Sequence, residues 1–197
     1  AIKIKPDFFE ADNNMGIARK ECYKLDEAIG AYNRAIELKP DYVEAYNNAG
    51  LALKEQGKLE EAIQSYSKAI RFKPDSAEIH NNIGLALQEQ EKLDDAIQAY
   101  KKSLLLKPDY AGAYNNIGNA LKDQGKLAEA IQYYSKAIRF KPDSAEIHNN
   151  MGLALKDQRK LDQAVSSFQK AFAIRSCIAP KGDETLAPAT TGLYFEL

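Results

Sequence analysis

Cysteine and histidine are scarce, with two of each in 197 residues. Cys22 and Cys177 cannot make a disulfide framework, and no CxxC pair offers a zinc site. A reducing, cytoplasmic setting fits that usage. His80 and His148 stand in no HExxH pattern, so no metal or other cofactor is expected. Excess charge of either sign is also missing. Lys plus Arg is 27 and Asp plus Glu is 28, a formal charge of −1. Without a basic surplus for phosphates, a nucleic-acid partner is excluded. No apolar run approaches the ~20 residues of a membrane helix, which excludes a membrane anchor of that kind. The chain starts at Ala1 with no signal peptide behind it. What remains is ample for a core: 45% hydrophobic and 28% charged residues.

The dominant signal is a period. Lys-Pro-Asp begins at Lys5, Lys39, Lys73, Lys107 and Lys141, each step 34 residues. Asn-Asn keeps the same step at Asn13, Asn47, Asn81, Asn115 and Asn149. The 16-residue string SKAIRFKPDSAEIHNN occurs twice, at 67–82 and 135–150, two periods apart. The array therefore reads as partly built by duplicating a two-repeat unit.

Each period predicts two helices. In residues 43–76, Tyr46, Ala49, Gly50 and Leu53 make an apolar stripe at helical spacing over 43–56. Gly57 supplies the turn. A second helix over 59–73 carries Ala62, Ile63, Tyr66, Ala69 and Ile70 on one face. Pro74 ends it, because proline lacks the N–H and disfavours helix in the residue before it. Asp75 precedes Glu78 by three, a capping-box spacing. Mid-helix Gly16, Gly50, Gly84, Gly118 and Gly152 each cost ~1 kcal/mol against alanine, so a close helix approach is expected there. Ala28, Ala62, Ala96, Ala130 and Ala164 are expected to face them, with Tyr32, Tyr66, Tyr100, Tyr134 and Phe168 as large partners.

These residues resemble the tetratricopeptide repeat, whose length is the same. Counted from residue 43, its signature positions 4, 7, 8, 11, 20, 24, 27 and 32 hold Tyr46, Ala49, Gly50, Leu53, Ala62, Tyr66, Ala69 and Pro74. The resemblance covers 9–42, 43–76, 77–110, 111–144 and 145–178. It implies an all-α, right-handed solenoid of five helix pairs. Residues 1–8 match the end of a preceding repeat, so the natural protein is expected to extend N-terminally. Repeat one departs at Asp12 and Arg19 and should pack less tightly. Ser176 replaces the last proline, so the final helix should run on. Residues 179–197 break the period and read as a tail or linker, with Leu193–Leu197 strand-like.

No enzyme motif is present, and no catalytic residue is proposed. Gly57-Lys58 and Gly125-Lys126 lack the glycine spacing and the Ser/Thr of a P-loop and read as turns. The two histidines occupy the Tyr46 and Tyr114 slot and read as packing rings. The informative residues are the asparagines, mediocre helix formers used twice in every first helix. One reading has an asparagine of each pair bonding a neighbouring helix and holding register. The other follows from the resemblance, which places repeat positions 2, 5, 6, 9, 12 and 13 on a concave groove. Position 6 then gives Asn14, Asn48, Asn82, Asn116 and Asn150. An amide both donates and accepts, so it can pair with peptide backbone. The row is similar to the asparagine ladder of O-GlcNAc transferase, which implies an extended peptide ligand. Position 5 is assigned to structure or solvent.

Beside that row the groove would carry Leu51, Leu85, Asn119 and Leu153 at position 9, and Lys54, Lys122 and Lys156 at position 12. The acids at position 13 read as a solvated face. Chaperone-binding relatives grip a carboxylate with two lysines, an arginine and two asparagines. Those slots here hold Asn13, Ile17, Asn48, Glu78 and Asn82, and only Asn48 matches. The expected function is a non-catalytic scaffold for an extended protein or peptide partner. The alternatives are a substrate-recruiting arm of a larger enzyme and self-assembly through uncapped repeat ends.

Overall fold

The computed structural model describes residues 8–178, all as helices and short turns. The first helices of the five pairs are α1 (Phe8–Glu21), α3 (Val43–Glu55), α5 (Ala77–Glu89), α7 (Ala111–Asp123) and α9 (Ala145–Asp157). The second helices are α2 (Leu25–Leu38), α4 (Leu59–Phe72), α6 (Leu93–Leu106), α8 (Leu127–Phe140) and α10 (Leu161–Ile178). The expected run-on is present: α10 has 18 residues where the other second helices have 14. The strand-like run at Leu193–Leu197 and the preceding-repeat match at 1–7 lie outside the described residues.

Each helix packs on its sequence neighbours, and each first helix also touches the first helix of the next repeat. The backbones of second helices in neighbouring repeats stay further apart among the described residues. A stack that is tight on one side and open on the other must curve, with the tight side inside. The first helices therefore form the concave wall of an α-solenoid.

The recurring glycines make the pairs fit. A Cβ on Gly50 would stand 2.4 Å from Tyr66 Cε1, and one on Gly84 would stand equally close to Tyr100. The ring, rather than the facing alanine, fills each notch. Tyr32, Tyr66, Tyr100 and Tyr134 are the largest wholly buried side chains. The turn within each pair needs a left-handed residue: Gly57 and Gly125 provide it without strain (φ 75°). Tyr23, Glu91 and Arg159 adopt the same conformation at φ 57°, 61° and 63°.

Two expectations are corrected. The helix after each of the four later Lys-Pro-Asp motifs starts two residues beyond the aspartate, so Asp75 does not cap it. Ser76 takes the N-cap, its Oγ accepting from the Ile79 N–H at 3.4 Å. Repeat one is not loosely paired either, since α1 packs on α2 as extensively as any first helix on its partner. Its irregular side chains find salt-bridge partners on α2, with Arg34 2.9 Å from Asp12 and Arg19 3.3 Å from Glu27.

Candidate functional site: the inner wall

The inner wall is knitted by side chains that pair across repeats. Asn48 Nδ2 donates to Asn13 Oδ1 at 3.0 Å, and Asn82 to Asn47, Asn116 to Asn81 and Asn150 to Asn115 repeat that bond at 3.0–3.1 Å. Both asparagines of the three middle pairs are therefore employed, and one of each terminal pair. The first holds the repeat that follows, and the second reaches back to the repeat before. This is the register-holding role weighed from the sequence. One N–H of Asn48, Asn82, Asn116 and Asn150 is spent on it. Their carbonyl oxygens accept no bond among the described residues, and none of the four is sealed from solvent.

A second ladder runs parallel, one turn and a half further along the helices. Lys20 pairs with Glu55 at 2.9 Å and Lys54 with Glu89 at 2.8 Å. Gln88 donates to Asp123 at 3.0 Å in the same place. Three of the five position-13 acids, Glu55, Glu89 and Asp123, are thus bridged to the preceding repeat rather than merely solvated. Lys122 turns to Asp123 of its own helix at 3.6 Å. Lys156 is exposed at the end of the ladder.

Between the ladders, Leu51, Leu85 and Leu153 are half-buried. Leu51 and Leu85 back onto the core. Asn119 breaks this apolar row for a local reason: it accepts the Tyr134 hydroxyl at 2.8 Å. Gln88 does the same for Tyr100 at 2.9 Å. The Tyr32 and Tyr66 hydroxyls are buried without a partner, because Ile17, Lys20, Leu51 and Lys54 stand in the corresponding places and accept nothing. Removing the hydroxyl should therefore have opposite effects in different repeats. Tyr66→Phe should be neutral or stabilising by about 1 kcal/mol, whereas Tyr134→Phe should cost about 1 kcal/mol by orphaning Asn119. Thermal melts of the two single variants check the contrast.

Burial raises the phenol pKa values. Tyr32 is pushed up to about 12, chiefly by burial and then by Glu55 and Glu21. Tyr66, Tyr100 and Tyr134 are raised for the same first reason. The unfolded chain loses these protons near pH 10, before the folded chain does. Stability should thus be intact below pH 10 and fall as pH rises from there through the folded values. Melting curves between pH 9 and 12, read beside phenolate absorbance, test the sign.

Two further features lie outside what the sequence reading found. The ring at repeat position 4 donates to the carbonyl of the proline six residues earlier. Tyr46 and Tyr114 do so through their hydroxyls at 3.2 Å, to Pro40 and Pro108. His80 and His148 use Nε2, at 3.2 and 2.9 Å, to Pro74 and Pro142. That explains why polar-tipped rings alternate there. The second feature is a cleft of about 480 Å³ at the inner edge, bounded by Tyr110, Asn115, Asn116, Phe140, Lys141 and Glu146. It opens at Gly112, where the other four repeats carry Glu10, Glu44, Glu78 and Glu146.

No group of metal-binding side chains occurs among the described residues. No described helix is long and apolar enough to cross a membrane.

Family profiles for the TPR repeat match residues 20–57, 50–91, 87–125 and 118–159, and one for the tetratricopeptide repeat matches 145–176. No curated protein matches the chain. Among solved structures, MamA is 28% identical, with a TM-score of 0.72 over 82% of this chain and 95% of its own. PilF of Pseudomonas aeruginosa shares the fold at 20% identity, TM-score 0.77, over 85% of this chain and 76% of its own. YrrB, described as a TPR protein with an unusual peptide-binding site, shares it at 22% identity, TM-score 0.65, over 88% and 89%. With profile matches running almost unbroken from residue 20 to residue 176, the chain belongs to the tetratricopeptide-repeat family.

Proposed function

We propose that this protein–protein interaction scaffold binds an extended peptide segment along its inner wall. One observation carries the reading: four identical amides, fixed in orientation by the rungs, each keep a carbonyl oxygen without a partner. Fixing a side chain in advance removes part of the ordering cost of binding. Adjacent helices pack about 8–10 Å apart. Successive amides would thus meet about every third residue of an extended chain rising ~3.3 Å per residue. Leu51, Leu85 and Leu153 supply apolar contact between amides and lysines, and the Gly112 cleft takes one larger side chain. Each amide bond is worth ~0.5–1.5 kcal/mol net, against several kcal/mol for ordering the peptide. Affinity is therefore expected in the micromolar range, about −8 kcal/mol. Sequence preference and salt dependence should both be modest, because the backbone is what is read.

The test begins with peptides selected from a random display library on the full chain. Binding is then measured by fluorescence anisotropy at a temperature where every variant is folded. Asn14 makes no rung, so Asn14→Ala should leave melting unchanged and weaken peptides that reach repeat one about threefold. Gly112→Glu should fill the cleft and weaken peptides anchored there. Asn48→Ala with Asn82→Ala should weaken most selected peptides about tenfold or more. Full affinity in the folded double variant would sink the reading.

A further inference from the structure

Among the described residues, the first and last helices expose complementary faces. On α10, Leu161, Val165 and Phe172 are 59%, 53% and 73% exposed. Their counterparts on α8, Leu127, Ile131 and Ile138, are half-buried, with α9 packed on that helix. Ala164 and Ala171 are buried, and Phe168 sits against Gly152, so the open stripe is Leu161, Val165 and Phe172. At the other end, Ala11 and Ala18 on α1 are exposed and Met15 is 37% exposed. Their counterparts on α3 are Ala45, Ala49 and Ala52, which are buried.

Both polar ladders stop with matching loose ends. Asn14 has no rung to donate into, and Asn149 receives none, among the described residues. Lys156 has no acid within ion-pair distance among them, and neither has Glu21 a cation. Each loose end at one terminus is the group that the loose end at the other terminus pairs with inside the array. Asn14 could donate to Asn149 as Asn48 donates to Asn13. Lys156 could bridge Glu21 as Lys54 bridges Glu89.

We propose that α10 of one copy docks on α1 of a second copy in the geometry by which α8 docks on α9, so that copies stack head to tail. The contact joins two different surfaces, so it does not close into a symmetric pair and it propagates. Burial of the Phe172 stripe supplies the drive. The two ladders supply register and direction. This surface is separate from the inner wall and does not rest on peptide binding there.

The test is sedimentation of the full chain over a wide concentration range. Wild type should show mass rising steadily with concentration past the dimer. Phe172→Asp should weaken association about tenfold or more, with unchanged melting. Lys156→Glu and Glu21→Lys should each weaken it about tenfold through like-charge contacts. An equimolar mixture of those two variants should recover association, because residue 156 of one then meets residue 21 of the other with opposite sign. Three results would overturn the proposal. They are a wild type that stays monomeric while Phe172→Asp lowers melting, which means the chain's own terminal residues cover the stripe; growth that stops at a dimer; and a charge-swapped mixture that does not recover. Peptide affinity of Phe172→Asp, measured in parallel, should be unchanged, which keeps this outcome distinct from that of the inner wall.

Discussion

Gly84→Ala should destabilise the array by about 2 kcal/mol or more, although alanine is the better helix former by ~1 kcal/mol. The added carbon would lie 2.4, 2.6 and 2.9 Å from three carbons of the Tyr100 ring. That ring is wholly buried and its hydroxyl is tied to Gln88, so it has nowhere to swing. Overpacking must then displace α5 from α6, and the cost exceeds the propensity gained. The melting temperature should fall by several degrees. Tyr100→Leu alone should also destabilise, by leaving a gap. Combined with Gly84→Ala it should cost less than the sum of the two, since the new methyl has room. A thermodynamic cycle over the four proteins measures this. Full additivity would contradict the packing account.

The second large effect lies in the asparagine rungs. Asn82→Ala with Asn116→Ala should lower stability by about 2–4 kcal/mol. Asn116 is the donor to Asn81 Oδ1, and Asn81 is buried, so the alanine leaves a buried carbonyl without a partner. Asn82 serves Asn47 likewise. Asn14→Ala removes the same residue type from a place with no rung and should leave unfolding unchanged. Chemical denaturation of the double and single variants decides it. An undisturbed double variant would mean that the rungs do not hold the repeats.

Much of this was legible in the sequence because the period is strict. Helix positions, turns, the curved stack and the glycine notches all follow from residues that recur every 34 positions. The asparagine row was legible as a row. Its bonding was not, because each partner lies 35 residues away on another helix, and composition gives no direction to an amide. Position 5 turned out to be the acceptor of every rung. The lysine–acid ladder escaped for the same reason: at one place on a helix, a bridged charge and a solvated one look alike. The cap was misplaced by one residue because Asp75 and Ser76 are both good cap formers, and only the backbone path chooses between them. The ring-to-proline bond did leave a trace, a hydroxyl or imidazole six residues after each of four prolines.

One polar contact outside the inner wall alternates along the chain. Gln56 bonds Asp26 and Gln124 bonds Asp94, both at 2.9 Å across a junction between repeats. At the two junctions between and after these, the residue in the aspartate slot is Glu60 or Ala128. Both amide atoms of Gln90 are buried there without a partner, and Gln158 faces an alanine that cannot accept from it. The solenoid therefore wears this outer clasp at alternate seams, with a beat of 68 residues, twice its structural period, while the asparagine rungs cross every seam. That is also the step between its two identical 16-residue strings, each of which spans a seam without the outer clasp. On the outer side the array is a chain of couples: repeats one and two are clasped and three and four are clasped, while five is held by its asparagine rung, by Glu146 accepting from Asn115 at 3.2 Å and by its apolar face. Strain applied along the axis, whether by a ligand that alters the curvature or by pulling on the ends, would meet the outer clasp as well as the inner wall at the first and third seams, and the inner wall without that clasp at the seams beside Gln90 and Gln158.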